Sequence, residues 1–367
     1  MSRELFRKQL AQLRPYVAGK PVEQVRRDYG LERIEKLASN ENQFGPSPKA
    51  IEAIKNEVEH INFYPEASAY DLVDDLAEHF DVKPGNIVVG NGGEGLIWDI
   101  AMTFINEGDE IIVTDPTFDI YNISVGLMGG KAHKIPFKGQ KFDFDGFLAH
   151  INDRTKLIYI CNPNNPTGNI ATQEELDAFI SKVPDDVVII MDEAYYEFAE
   201  LYDEYPKNSI DLMKKRPNTI VLRTFSKIYG IAGVRLGYII TSEEIAAEMN
   251  KVRQTLGVNR LAQVGARAAL NDAEYKDFAA SENKKATEYL ESYFEKKGFD
   301  YFKSYSNFSW VNIGVPSQPV FEELQKKGVV IRPGYLWGWD TWIRVNTGTE
   351  EQMKLFTEKL DEVLAAK

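Results

Sequence analysis

Six short runs dominated by Ile, Val, Leu and Tyr punctuate the first two-thirds of the chain: "NIVVG", "EIIVTDP", "KLIYICNP", "DVVIIMDEA", "TIVLRTF" and "RLGYIIT". Each is apolar at successive positions rather than alternate ones, the pattern of a strand buried on both faces. Between most of them lie stretches with apolar residues at helical spacing, such as "GLIWDIAMTFI" and "TQEELDAFISKV". Strands of this kind alternating with helices predict an α/β domain, a mainly parallel sheet covered by helices on both faces. After about residue 240 the texture becomes charged and helical, beginning "EEIAAEMNKVRQTLG". It is followed by "SNFSWVNIGV", "GVVIRPG" and "WIRVNTG", which read as strands of a separate sheet. A smaller α+β domain is expected there. The opening residues, down to "LASNENQFGPSP", carry too little apolar periodicity for a domain and predict an arm. The expected division is residues 1–35, 36–250 and 251–367.

Composition agrees with two domains, since 367 residues that are 43% hydrophobic can build one large core and a second smaller one. A net charge of -13 would repel nucleic acid and anionic membranes, so neither is an expected partner and any anion site must be local. The single cysteine, Cys161, excludes an intrachain disulfide and fits a reducing compartment. The N-terminal "MSRELFRKQLAQLRPYV" is charged and amphipathic, without the apolar core of a signal peptide, and no run is long enough to span a bilayer. A soluble cytoplasmic protein is expected.

Ligands of open α/β sheets gather at the carboxyl ends of the strands, which directs attention to the residues after each run. "IVVGNGGEG" places Gly90, Gly92 and Gly95 in a G-x-G-x-x-G pattern at a strand-to-helix turn, where free backbone N–H groups and the helix dipole make an anion seat. Asp115 follows at the end of the next run, so a dinucleotide-binding dehydrogenase is one reading. Against it, more than eighty residues precede the pattern. "VVIIMDEA" resembles the magnesium-holding strand of nucleotide hydrolases, but no G-x-x-x-x-G-K-[ST] accompanies it. Neither reading explains Lys227, an isolated amine in "RTFSKIYGIAGVRLGY". A lysine in a dry pocket loses its proton and can form a Schiff base with an aldehyde, which is how pyridoxal phosphate is held. That cofactor also asks for a phosphate seat, a carboxylate for its ring nitrogen and donors for its phenolic oxygen. The backbone of Gly93 and Glu94, with Thr224, Ser226 and Arg235, could supply the first. Asp192 could supply the second, and Asn165 with Tyr195 the third.

With "CNPNNPTG", "MDEAYYEF" and "RTFSKIYGIAGVRLGY" in this order and spacing, the chain resembles the fold-type I pyridoxal-phosphate aminotransferases, and most closely the histidinol-phosphate aminotransferase family. The likeness runs from "LRPYVAGKP" to "WIRVNTGT", almost the whole chain. It implies an aspartate aminotransferase-like fold and pyridoxal 5'-phosphate as cofactor. It makes Lys227 the Schiff-base lysine and proton shuttle, Asp192 the partner of the pyridinium, and Asn165 and Tyr195 the contacts of the ring oxygen. Phe118 in "DPTFDIY" would stack on the ring, and Tyr64 in "NFYPE" would reach the phosphate of the other subunit of a homodimer. Arg344, Arg332, Asn40 and Tyr16 would bind substrate, and histidinol phosphate and 2-oxoglutarate would be the amino donor and acceptor. An aromatic amino acid aminotransferase is the alternative.

The chain departs from the family pattern twice. Gly93, Glu94 and Gly95 stand where Ser-Asp-Glu is frequent, so the phosphate loses a hydroxyl and relies more on backbone N–H groups. "GYLWGWDTW" brings Trp337, Trp339 and Trp342 close to the substrate arginines, either as an aromatic pocket or as a packed cluster of the small domain.

Overall fold

The computed structural model describes residues 5–13 and 21–366. After a two-residue strand, β1 (Glu35–Lys36), the chain builds a seven-stranded sheet from β2 (Ile87–Gly90), β3 (Glu110–Asp115), β4 (Lys131–Pro136), β5 (Thr155–Cys161), β6 (Val188–Asp192), β7 (Thr219–Thr224) and β8 (Gly237–Ile240). Their order is β2-β8-β7-β6-β5-β3-β4. All neighbours pair in parallel except β8, which is antiparallel to both β2 and β7. The six expected runs all form strands of this sheet. β4 was not foreseen because "KAHKIP" has no apolar run: it is the edge strand, and its lysines and histidine keep that edge from pairing with another chain.

Alternation along the strands divides the core between the two faces of the sheet. Ile111, Val113, Tyr159, Ile190 and Ile239 meet one helical layer, while Ile112, Ile158, Ile160, Ile189 and Met191 meet the other. This double burial is why no polar position interrupts the runs. Helix ends are set by ordinary capping chemistry. Thr172 and Glu175 form a capping box at the start of Gln173–Ile180, and Thr349 with Gln352 does the same for Glu350–Ala365.

The second sheet is antiparallel, with β9 (Tyr301–Phe302), β10 (Phe308–Asn312), β12 (Arg332–Pro333) and β13 (Trp342–Asn346) in the order β12-β13-β10-β9, while β11 (Val329–Val330) pairs with β1. Its core holds Leu290, Phe294, Val311, Leu324, Ile343 and Phe356. Two features differ from the expected division. The helix Arg260–Leu270 and the first part of Ala273–Lys297 pack into the large core through Ala266, Ala269, Tyr275 and Ala279, whereas Ala286, Leu290 and Phe294 of the same long helix lie in the small core. The change of core thus falls inside that helix, beyond residue 250. In addition, Leu37 belongs to the small core, and Val25 of helix Val22–Tyr29 packs with Ala38 and Val330, so the N-terminal segment is fastened to the C-terminal unit. Among the described residues no helix is long and apolar enough to cross a membrane.

Candidate active site

The carboxyl ends of β5, β6 and β7 open into a cavity of about 380 Å³, walled on the far side by β12 and β13. Asp192, the last residue of β6, lies on its floor and is 4% exposed. Its Oδ2 accepts from the Tyr121 hydroxyl at 2.5 Å and its Oδ1 from the Ala194 backbone N–H at 3.1 Å. Burial lifts this carboxyl from its ordinary value to about 6, against the Tyr121 hydrogen bond, which favours the ionised form. Tyr121 is held by stacking on Tyr159 at 4.3 Å, and Phe118 meets it edge to face at 5.8 Å.

Lys227 stands in the turn after β7, its Nζ donating to the Ser39 carbonyl at 3.4 Å and lying 5.6 Å from the Tyr195 ring. Burial, then the Arg344 charge, depress the amine from 10.5 to about 8, which brings the neutral nucleophile within reach near neutral pH. Tyr195 is 3% exposed, and its hydroxyl accepts from Asn40 Nδ2 at 2.8 Å. Asn40 itself is left-handed at φ 55°, a conformation of which its own side chain is tolerant. It is locked there by its N–H to Asn346 Oδ1 (2.9 Å) and by Asn307 Nδ2 to its carbonyl (3.0 Å).

The anion seat forms where β7, β8 and helix Gly92–Phe104 converge. Thr224 Oγ1 accepts from the Ser226 N–H at 3.1 Å, and Arg235 Nη1 reaches Ser226 Oγ at 3.5 Å. Gly237 is sterically required, since a Cβ there would come within 2.8 Å of the Gly93 backbone nitrogen, and Gly92 adopts φ 75°, which favours glycine. Close approach of backbone to backbone is what exposes the helix N-terminus to a ligand, so the glycine-rich variant of this turn still offers N–H groups at the seat. Glu94 lines the cavity beside Gly93.

The wall of the cavity formed by β12 and β13 carries two arginines. Arg344 donates from Nη1 to Asn165 Oδ1 at 2.5 Å and from Nη2 to the Ala38 carbonyl at 2.7 Å, while Arg332 lines the cavity next to it. Of the three tryptophans in the aromatic segment, Trp337 lines the cavity. Trp339 and Trp342 pack with Trp310 and Phe302 in the small domain.

Among the described residues that the family resemblance assigned to cofactor or substrate, all but Tyr64 line this one cavity. Tyr64 is 82% exposed and lies elsewhere, beside Ile61, Phe63 and Arg260. Tyr16 lies outside the described residues. Tyr121 and the Ser39 carbonyl were not foreseen. The signal for Tyr121 is its place three residues after Phe118, at the start of helix Ile120–Met128, where the two rings meet edge to face. A buried carboxylate, a lysine of lowered basicity, an aromatic wall and a helix-end anion seat together meet each requirement of a pyridine aldehyde that carries a phosphate.

The dinucleotide reading does not survive the topology. β2, which carries the glycine pattern, is an edge strand, and four strands separate it from β3 and Asp115. At ~4.8 Å per strand, that acid lies some ~24 Å away across the sheet, too far to hold a ribose bound at the glycines.

Comparison with known proteins agrees with the geometry. The family model "Aminotransferase class I and II" matches residues 32–360. Histidinol-phosphate aminotransferase 2 of Carboxydothermus hydrogenoformans is 44% identical over 360 residues, 98% of this chain and 99% of that protein. The histidinol-phosphate aminotransferase of Moorella thermoacetica is 42% identical, with coverage of 98% and 93%. Among solved structures, the histidinol-phosphate aminotransferase of Sinorhizobium meliloti in complex with pyridoxal-5'-phosphate superposes with a TM-score of 0.91 at 28% identity, covering 100% of this chain and 99% of that one. The aspartate aminotransferase of Thermotoga maritima shares the fold, with a TM-score of 0.84 at 20% identity over 98% of this chain and 100% of that one. The chain therefore belongs to the aminotransferase class I and II family.

Proposed function

We propose that the protein is a pyridoxal 5'-phosphate-dependent aminotransferase that exchanges an amino group between histidinol phosphate and 2-oxoglutarate. The observation that carries the substrate assignment is the pair of buried arginines, Arg332 and Arg344, in one wall of a cavity whose floor holds Lys227 and Asp192. Two guanidiniums side by side suit a dianionic phosphate, or the second carboxylate of a dicarboxylic acceptor, better than a lone carboxylate. Relatives 42–44% identical over nearly the full chain carry the histidinol-phosphate name.

The cofactor, when bound, withdraws electrons from the carbon that bears the amino group. Lys227 would hold its aldehyde and, as a free amine, move a proton at that carbon. Asp192 would keep the ring nitrogen protonated, with Tyr121 holding the carboxylate in place. Thr224, Ser226, Arg235 and the N–H groups of Gly93 and Glu94 would take the phosphate. Phe118 would cover one ring face, and Tyr195, fixed by Asn40, and Asn165 would face the ring oxygen. Arg344 and Arg332, with Asn40 and Tyr16, would bind the substrate.

An aromatic amino acid aminotransferase is the second reading, favoured by the presence of Trp337 in the cavity wall. Competing donors decide between them. Histidinol phosphate should show a kcat/KM at least about tenfold above those of phenylalanine and tyrosine, the worth of one well-placed charged hydrogen bond. A higher value for either aromatic amino acid would transfer the protein to the second reading.

The proposal includes a cytoplasmic homodimer with shared sites. Tyr64, Phe63 and Ile61 form an exposed apolar strip, 82%, 63% and 62% exposed, of the kind that a partner surface covers. Tyr64 would reach the phosphate seat of the other subunit. Mixing an inactive Tyr64→Ala protein with an inactive Lys227→Ala protein should restore up to about a quarter of the wild-type activity through hybrid dimers with one intact site. Full activity of a monomer at low concentration would exclude this arrangement.

A further inference from the structure

Arg332 and Arg344 are cross-strand partners, because the antiparallel pairing of β12 with β13 sets them directly opposite each other. Both are nearly buried, at 7% and 6% exposure. Like charges in that register repel, and burial strengthens the repulsion by removing the water that would screen it. Hydrogen bonds to Asn165 Oδ1 and the Ala38 carbonyl orient the Arg344 guanidinium, which also lies 5.3 Å from the Phe308 ring. Yet the binding of a dianion requires both guanidiniums to be aimed at one point before the ligand arrives.

Trp337 is placed to do this. Its indole ring lies 5.8 Å from Arg332 Cζ and 5.4 Å from Arg344 Cζ, within cation–π range of both. The ring is itself fixed from behind: the fully buried Trp310 meets it edge to face at 5.6 Å, and Trp310 stacks on Trp342 at 5.7 Å. The Trp337 Nε1 atom is buried without a hydrogen-bond partner, so ring contacts and not an N–H bond set the orientation of the indole. Indole has the strongest quadrupole of the natural side chains, which makes it the best single surface for two cations.

We propose that Trp337 is a positioning residue whose indole holds the Arg332 and Arg344 guanidiniums in a shared cation–π contact, pre-aimed at a doubly charged anionic group of the substrate. This rests on the reading of the two arginines as the substrate's anion site. Without the ring the two guanidiniums lose their shared contact, and affinity for a dianion falls because the ligand must aim the pair itself. The two arginines face the anionic group and not the reacting carbon, so the effect falls mainly on KM.

The test uses the cofactor-loaded enzyme and its Trp337→Leu and Trp337→Phe variants. It measures kcat and KM for histidinol phosphate and for histidinol, and Ki for inorganic phosphate as a competitive inhibitor. Trp337→Leu should raise KM for histidinol phosphate and Ki for phosphate together, by about tenfold, and raise KM for histidinol less than either. Trp337→Phe keeps a π face and should recover most of the loss, leaving about a two- to threefold rise in both constants. Unchanged KM and Ki in Trp337→Leu would overturn the proposal, as would a phenylalanine variant no better than leucine, or an equal rise in KM for both donors with Ki unmoved. If Trp337→Leu does not fold, the phenylalanine variant decides: no rise in its phosphate Ki overturns the clamp. A wild-type enzyme that fails to prefer histidinol phosphate over histidinol would sink the substrate reading alone, since the phosphate Ki still reads the arginine pair directly.

Discussion

Replacing Lys227 with alanine should abolish transamination, lowering turnover by at least about ten-thousandfold, because in the proposed mechanism the same amine both holds the cofactor and moves the proton. The absorbance band of lysine-bound pyridoxal phosphate should vanish with it. The fold should survive, since the Lys227 Nζ makes one long hydrogen bond, to the Ser39 carbonyl at 3.4 Å, and the surrounding cavity can admit water. A Lys227→Ala protein that still turns over, or keeps the band after dialysis, refutes the assignment. The wild-type amine carries a pH signature as well. Its basicity is lowered to about 8, so below that pH it is held protonated and above it the nucleophilic form dominates. The rate at which cofactor-free protein takes up pyridoxal phosphate should therefore rise with pH and level off above about 8.

Arg344→Ala should cost the second-largest amount. Loss of a buried paired contact to the substrate's anionic end is worth ~2–4 kcal/mol, or about thirtyfold to a thousandfold in kcat/KM for histidinol phosphate. Arg344→Lys should recover little, because a point charge cannot reproduce the forked donors that now engage Asn165 Oδ1 and the Ala38 carbonyl together. Arg344 also has a second effect at a distance. Its charge is the next largest cause, after burial, of the lowered Lys227 basicity. Removing it should move the amine's titration upward from about 8, so the cofactor-uptake profile should shift to higher pH in the alanine variant but not in the lysine variant. Unaltered kcat/KM in Arg344→Ala would remove this residue from the substrate site.

Much of this was legible from the chain because the fold concentrates its chemistry at strand ends. Asp192, Thr224 and Asn165 each follow an apolar run that can hardly be anything but an internal strand, and parallel pairing then brings them to one edge of the sheet. Residues that act through a turn of helix or a returning loop gave weaker signals. Tyr121 reads as one more aromatic in a helical stretch until its hydroxyl is seen 2.5 Å from Asp192. The edge strand β4 escaped because its burial is one-sided and its sequence polar. The boundary between the two units escaped for a different reason: Ala273–Lys297 is one uninterrupted helix, and nothing in a continuous helical pattern marks where its partners change from one core to the other. The tryptophans show the limit of composition as evidence, since residues two and five apart in sequence face different surroundings in "LWGWDTW".

Four consecutive residues, 37–40, connect parts of the molecule that would otherwise answer separately. Leu37 donates its N–H to the Val330 carbonyl at 2.7 Å and is sealed in the small core. Ala38 presents its carbonyl to Arg344, Ser39 presents its carbonyl to Lys227, and Asn40 grips the Tyr195 hydroxyl. Mechanically this is a rocker arm a few residues long, stiffened at its end by the left-handed turn at Asn40. Any shift of the small unit against the large one would therefore reach Arg344, Lys227 and Tyr195 together. Variants within this tetrapeptide should resist separation into binding defects and turnover defects, however conservative the exchange.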